Sequence, residues 1–405
     1  MALPYLTQDI PGIGGTIKNR AEDFFVQELP LYEPGGQGEH VYAEIQKVGL
    51  STFEAIERIG RALYVSSRDI GYAGLKDARA ITRQIFSIPN TTEEAVMKLK
   101  LPNIEPLWAA RHGNKLRLGH LAGNRFAIKV REVNATDVVK LGPLVEVLKT
   151  RGMPNYFGEQ RFGRRGDNHL LGAALVAGDD EALLKLLLGT PNSDVDDSQG
   201  MGARKAFDRG ELEQAMKLHP RSSGMERRIL HRLIKTGSAK TAVRAIDQKL
   251  QRLWISALQS ELFNQVAARR IESIDRLVDG DLAWKHENGA CFAVESVEVE
   301  QARATNFEIS PTGPLLGYRM TLPAGKALEI EEQVFSEYRL SPGDFRVEGR
   351  LRVKGARRPL RVQPKDVELA AGVDEFGPHI TFAFTLPPGS FATVFLRECM
   401  KNDDQ

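Results

Sequence analysis

The hydrophobic period of this chain changes twice, and that order constrains its fold more than any single motif. Residues 40 to 46, HVYAEIQ, alternate apolar Val41, Ala43 and Ile45 with polar neighbours, as a half-buried strand does. From about residue 166 the apolar positions take helical spacing instead, through NHLLGAALVAGDDEALLKLLLG, GELEQAMKLH, MERRILHRLIK and a long amphipathic run from Lys240 to about Ile271. Beyond residue 280 strands are expected again, in ACFAVESVEVE, in LGYRMTLPAG and in HITFAFTL, where Ile380, Phe382, Phe384 and Leu386 alternate. Strands early, helices in the middle and strands late predict an α+β core of mixed, mainly antiparallel sheet and helices, split by a largely helical insertion. The expected segments are 1–165, 166–349 and 350–405. A length of 405 residues agrees, because one core rarely organises that much chain.

Local signals place the early elements. LSTFEAIERIGRAL reads as a helix with Ser51 and Glu54 as a capping box and Phe53, Ile56, Ile59 and Leu63 on one face. TTEEAVMKLK reads as another, with Thr91 and Glu94 at its start. Between them runs GYAGLKDARAITRQ, Gly71 to Gln84, whose glycines permit a tight backbone before TRQIFSIP opens a strand. Asp77 therefore falls on a loop at a strand's mouth. Two further strands are expected in NKLRL and RFAIKVR, joined by the turn-forming GHLAGN. Leu116, Leu118, Phe126, Ile128 and Val130 would line one face, and Lys115, Arg117, Arg125, Lys129 and Arg131 the other. A solvated outer face and a surface for an anionic partner both account for such a basic side.

Charge narrows the partners. The net charge is only +2, so an anionic partner has to be met by local patches. Residues 104 to 131 carry six Lys or Arg against one acid, and residues 350 to 365 carry seven against none. Asp194, Asp196 and Asp197, in the loop PNSDVDDSQGMG, return some of the balance. No segment has the apolar length of a membrane span, and the N-terminus MALPYLTQDIPGIGG lacks a charged region followed by an apolar one. A cytoplasmic, membrane-free protein is the expectation. Cys291 and Cys399 are too few for a disulfide framework, and the eight histidines form no metal signature. No metal or cofactor is expected.

Two stretches are dense in chemistry. Lys76, Asp77, Thr82 and Gln84 crowd the strand mouth, where a rigid scaffold commonly carries catalytic groups, although an isolated loop Asp also caps a turn. PNYFGEQRFGRR, Pro154 to Arg165, interleaves Tyr156 and Phe157 with Arg161, Arg164 and Arg165. Arginines among aromatics hold phosphates and stack unpaired bases, and they also occur as ordinary surface over ordinary core. GIGG and GGQG follow no strand into a helix and read as turns. Phe24 and Phe391, taken alone, are core residues by type.

GLKDARAITRQ resembles the signature of the TruD family of tRNA pseudouridine synthases, a G-x-K-D-x-x-A-x-T-x-Q pattern, and NYFGEQRFG resembles that family's second motif. Similarity extends to KNRAEDFFVQE, ARHGNKLRLGHLAGNRF, SELFNQ and LPPGSFATVFLRE, and thins between about 173 and 240 and between 296 and 345. The resemblance implies the pseudouridine synthase catalytic core interrupted by the family's TRUD insertion. It implies Asp77 as the catalytic aspartate, Asn124 as the residue that hydrogen-bonds and orients it, Lys18 as a basic neighbour, and Phe24 and Phe391 as walls around the target uracil. Lys76, Thr82, Gln84, Lys115, Arg117, Arg161, Arg164 and Arg165 are the expected remaining substrate contacts.

The implied reaction detaches uracil from C1′ of its ribose, turns it and rejoins it through C5, with tRNA as partner and nucleotide 13 as the family's usual position. One ionised carboxylate suffices, either as nucleophile or as base, and the residues do not choose between these. A monomer is expected. A noncatalytic RNA-binding protein and a base-releasing glycosidase are the rival readings; the first would lack Asp77 or the stacking residues, and the second would liberate free uracil.

Overall fold

The computed structural model describes residues 3–220, 222–347 and 351–402. By its internal contacts the chain divides into two compact units. One is formed by Pro4–Met153 with Val362–Gln405, the other chiefly by Pro154–Arg361. PNYFGEQRFGRR thus begins the second unit.

The first unit opens with β1 (Phe24–Pro30) and β2 (His40–Val48), followed by α1 (Thr52–Leu63). Ser51 and Glu54 form the expected capping box, each side chain accepting from the other's backbone amide. The buried face of α1 is Thr52, Ala55, Ile56, Ile59 and Gly60, with Leu63 packed against the same cluster; of the expected face only Phe53, 56% exposed, lies outside it. Next come β3 (Gly71–Tyr72), β4 (Ile81–Pro89), α2 (Glu93–Met97), β5 (Ile104–His112), β6 (Leu121–Arg131) and α3 (Leu141–Arg151). The cap of α2 is Thr92, whose hydroxyl accepts from the Ala95 amide, rather than Thr91.

NKLRL is not a strand. Its asparagine and the glycine before it begin an irregular stretch in which Leu116 alone is buried, its amide donating to Ser87 Oγ at 2.9 Å. The hairpin expected between NKLRL and RFAIKVR therefore does not form, and β6 pairs with β1 instead. Its apolar side, Phe126, Ile128 and Val130, is buried as the alternation predicts. Its basic side is largely neutralised within the chain. Arg131 is buried in a fork of hydrogen bonds to Asp23 and Asp374, and Lys129 Nζ lies 2.8 Å from Asp374 Oδ2.

A short strand, β7 (Met153–Pro154), precedes the helical part of the second unit: α4 (Asn168–Ala177), α5 (Asp180–Leu188), α6 (Ser198–Asp208), α7 (Leu212–Leu218), α8 (Gly224–Thr236), α9 (Ala239–Val243) and α10 (Gln248–Arg269). The run from Lys240 is two helices, because Asp247 caps the second through the Lys249 amide. Strands β8 (Leu282–Lys285) and β9 (Cys291–Ala293) follow, and then VEVE, expected as strand, opens the helix α11 (Val297–Thr305) with Ser296 as its cap. β10 (Ile309–Leu315) ends before LGYRMTLPAG, which is irregular rather than extended, and α12 (Gly325–Glu337) and β11 (Ala356–Pro359) complete the unit. Strands β11, β10, β8 and β9 form one four-stranded sheet.

The basic run near the C-terminus divides between inward and exposed residues. Arg357 forks onto Glu331 with both groups buried, and Arg361 is wholly buried against the Ala304 carbonyl and Ser310. Arg358 lies over the Phe157 ring at 4.3 Å and donates to Asn155. Arg352, Lys354 and Lys365 are exposed, and Arg350 lies outside the described residues.

After β12 (Arg361–Val362), the chain adds β13 (Lys365–Asp374), β14 (Gly377–Leu386) and α13 (Ala392–Met400) to the first unit. Its sheet runs β13-β14-β6-β1-β4-β2-β5, with β3 on β4. Only the β1–β4 pair is parallel among these neighbours. Strand β2, between two neighbours, is buried on both faces: Val41, Ala43 and Ile45 pack with Ile56 and Ile59 of α1, and Tyr42 packs with Ile85 and Leu116 opposite. This central position explains why HVYAEIQKV buries polar Glu44 and Lys47 as well.

Candidate active site

Asp77 sits in the loop between β3 and β4, and a set of hydrogen bonds holds that loop at several points. Gln84, buried in β4, donates through Nε2 to the Gly74 carbonyl and accepts through Oε1 from Thr52 Oγ1 at 3.1 Å. Thr52 Oγ1 in turn accepts from the Lys76 amide at 3.0 Å. Lys76 itself reaches inward to Glu28 Oε2 of β1 at 2.6 Å, with side chains only 5% and 1% exposed. The first turn of α1, the middle of β4 and β1 thus clamp the backbone that leads into the carboxylate, from Gly74 to Lys76.

The carboxylate meets cations. Lys18 Nζ pairs with Asp77 Oδ2, and the Arg79 amide donates to Oδ1 at 2.9 Å. Lys18 arrives on the N-terminal segment, which is fastened when Thr16 and Arg131 exchange backbone hydrogen bonds of 2.9 Å. Gly15 makes that approach possible: at its φ of +92° an added Cβ would stand 2.6 Å from the Arg131 carbonyl oxygen. Lys18 adopts the left-handed region, φ 62°, a conformation that costs a side-chain-bearing residue about 1–2 kcal/mol. Burial pushes the Asp77 carboxyl up, but the hydrogen bonds from Lys18 and Arg79 and the charges of Lys18 and Lys47 together hold it below the usual aspartate range. It is a half-sheltered carboxylate kept ionised, suited to act as nucleophile or base.

Phe24 joins this group, its ring centroid 4.7 Å from Lys18 Nζ. Asn124 is on β6 opposite Glu28 and Leu386, and its Oδ1 is buried with no hydrogen-bond partner among the described residues. No hydrogen bond joins it to Asp77, which is satisfied by Lys18 and Arg79, so the expected orienting contact is not present. Phe391 caps α13, partly buried, a few residues beyond Leu386.

The other expected substrate contacts sort by what they touch. Lys76 is consumed by Glu28, and Gln84 by Thr52 and Gly74, so both hold the loop rather than offering a free group. Thr82 is wholly buried, with an unpartnered Oγ1. Lys115 Nζ donates to the Arg68 carbonyl, while Arg117 is exposed. In the second unit Arg165 pairs with Asp167 and Asp196 and donates to the Thr190 carbonyl, and Arg164 donates to the Val195 carbonyl. The acidic loop therefore closes over these two arginines. Arg161 lies over Phe157, and Phe157 is held at both backbone groups by Asn264 of SELFNQ, 2.8 Å at N and 3.0 Å at O.

Two residues carry roles that composition and spacing did not signal. Glu28 anchors Lys76, and Lys47, wholly buried, lies 3.5 Å through Nζ from the Asp77 carbonyl. Both occupy ordinary polar slots of strand patterns, so only their burial sets them apart.

Comparison with known proteins identifies the family. The family model "tRNA pseudouridine synthase D (TruD)" matches residues 1–399. A protein of Geobacter metallireducens named tRNA pseudouridine synthase D is 48% identical over 398 residues, 98% of this chain and 97% of that one. One of the same name from Thermus thermophilus is 37% identical over 401 residues, covering 98% and 92%. The crystal structure of a putative tRNA pseudouridine synthase D from Methanosarcina mazei superposes with a TM-score of 0.86 at 31% identity, covering 98% of this chain and 96% of that one. The chain belongs to the TruD family of tRNA pseudouridine synthases and is an isomerase.

Proposed function

We propose that this enzyme converts uridine 13 of tRNA to pseudouridine, with Asp77 as the reacting carboxylate. The observation that carries this reading is the Lys18–Asp77 pair on a loop clamped by Gln84, Thr52 and Lys76. An aspartate so held is ionised at neutral pH without a metal, and the reaction asks for one such group at the sugar. Phe24, beside Lys18, and Phe391 supply apolar walls that let a detached uracil stay stacked while it turns. Extruding the base costs a few kcal/mol, which phosphate contacts offset; the exposed Arg117, Arg125, Arg352, Lys354 and Lys365 are the groups free to make them.

The test uses tRNA transcripts tritiated at uridine C5 and counts tritium released to water. Wild type releases it from nucleotide 13, and Asp77→Asn releases none while binding tRNA with unchanged affinity. Turnover by the variant, or release mapped elsewhere, removes the assignment.

A further inference from the structure

Lys47, near the end of β2, lies opposite Thr82 of β4, and its side chain is 0% exposed. Its Nζ donates to the Leu50 carbonyl at 2.6 Å and toward the Asp77 carbonyl at 3.5 Å. Among the described residues no carboxylate comes within 4.0 Å of this ammonium. A charge buried with carbonyls alone is expensive, and packing does not call for it, since methionine has the same shape and no charge. The facing groups are Lys76, of like charge, and Asp77 and Glu54, of opposite charge. Asp77 feels Lys47 in return as a stabilising cation.

We propose that Lys47 is a positioning residue for the isomerisation: its ammonium ties the entrance of α1 to the backbone of the Asp77 loop and, from beneath that loop, keeps the carboxylate ionised and aimed. Lys18 and Lys47 then divide the task, one bonding the carboxylate directly and the other holding the peptide that carries it. The inference rests on Asp77 being the reacting group. Burial, with Lys76 adding to it, brings Lys47 down to about 8, while Asp77 and Glu54 oppose the drop. The ammonium is present at neutral pH and is lost at moderately alkaline pH.

Single-turnover tritium release measured from about pH 6 to about pH 10 tests this on wild type, Lys47→Met, Lys47→Gln and Asp77→Asn. Wild type should hold a plateau and decline above about pH 8, following Lys47. Lys47→Met should lose about 10–100-fold in the rate constant, the scale of a misplaced reacting group, with tRNA affinity unchanged and the alkaline decline gone. Lys47→Gln, which keeps a donor and loses the charge, should show the same missing decline. A Met variant with the wild-type rate constant overturns the proposal, as does a loss that matches its unfolded fraction. Should neither variant fold, a wild-type rate constant that stays level through about pH 9.5 overturns it. Turnover by Asp77→Asn would remove the Asp77 reading itself, whereas an inactive Asp77→Asn beside a fully active Lys47→Met removes only the role of Lys47.

Discussion

Lys76 is adjacent to Asp77 and basic, which by sequence makes it a contact for RNA; by structure it is one half of a buried ion pair with Glu28. Lys76→Met separates the two. The substitution leaves Glu28 buried, with the Ile85 amide at 3.4 Å as its remaining donor and Glu44 as a neighbouring like charge. Breaking such a pair on one side costs about 3–5 kcal/mol, far above the ~1 kcal/mol of a surface pair. For a domain of ordinary size that corresponds to a fall in Tm of roughly 6–20 °C.

The pH dependence has a definite sign. Burial already raises the Glu28 carboxyl above its ordinary value despite Lys76, and without Lys76 it rises further. A group raised on folding favours the folded state at low pH and loses that contribution as pH climbs through its folded value. The deficit of Lys76→Met should therefore be largest near neutrality and above, and shrink as pH falls toward the carboxylate range and Glu28 takes a proton. Adding Glu28→Gln should recover most of it, because the charge that lacked a partner is gone. Thermal unfolding at two pH values, with the double-variant cycle, measures all three. A Lys76→Met protein that keeps its Tm, and instead binds tRNA more weakly with a shallower salt dependence, would refute this reasoning and restore Lys76 as a phosphate contact.

Because Lys18 opposes the upward push of burial on Asp77, Lys18→Met should shift the acid limb of the tritium-release rate constant upward, whereas wild type stays level from neutrality down to about pH 5, above the ordinary aspartate value. An unmoved limb would mean that Lys18 does not set the ionisation of Asp77. Arg165→Ala should leave the slope of log affinity for tRNA against log salt within about 0.3 of wild type, where loss of a true phosphate contact would change it by about 0.9; thermal unfolding should instead register the loss of its bonds to Asp167, Asp196 and Thr190.

Alternation and capping were legible wherever one force dominated. Ser51 with Glu54 names its own cap, and Phe126, Ile128 and Val130 are apolar because one side of β6 faces the core. The expectation failed where competing signals were close. VEVE has strand-like alternation, but Ser296 satisfies the Val299 amide and the segment becomes α11. NKLRL alternates too, yet β1 and β14 already occupy both edges of β6 and leave it no place there.

The loop that carries Asp77 was legible as a strand's mouth, but the partners of its neighbours were not, for a reason that lies in the charges. A basic residue in a sequence has no visible counterion, so Lys76, Arg131, Arg165 and Arg357 all read as free to meet an anion. Folding brings each to an acid far away in the chain or across a loop: Glu28, Asp23 with Asp374, Asp196, and Glu331. Lys47 is the reverse case, unremarked in its strand and yet buried with no carboxylate within 4.0 Å among the described residues. In a chain of net charge +2 with 55 basic and 53 acidic side chains, pairing is the default, so the informative cations are the ones it leaves out. Of those left out, Arg117 and Arg125 are exposed and are the ones proposed for RNA, whereas Lys47 is enclosed beside the Asp77 backbone and is the one proposed for positioning.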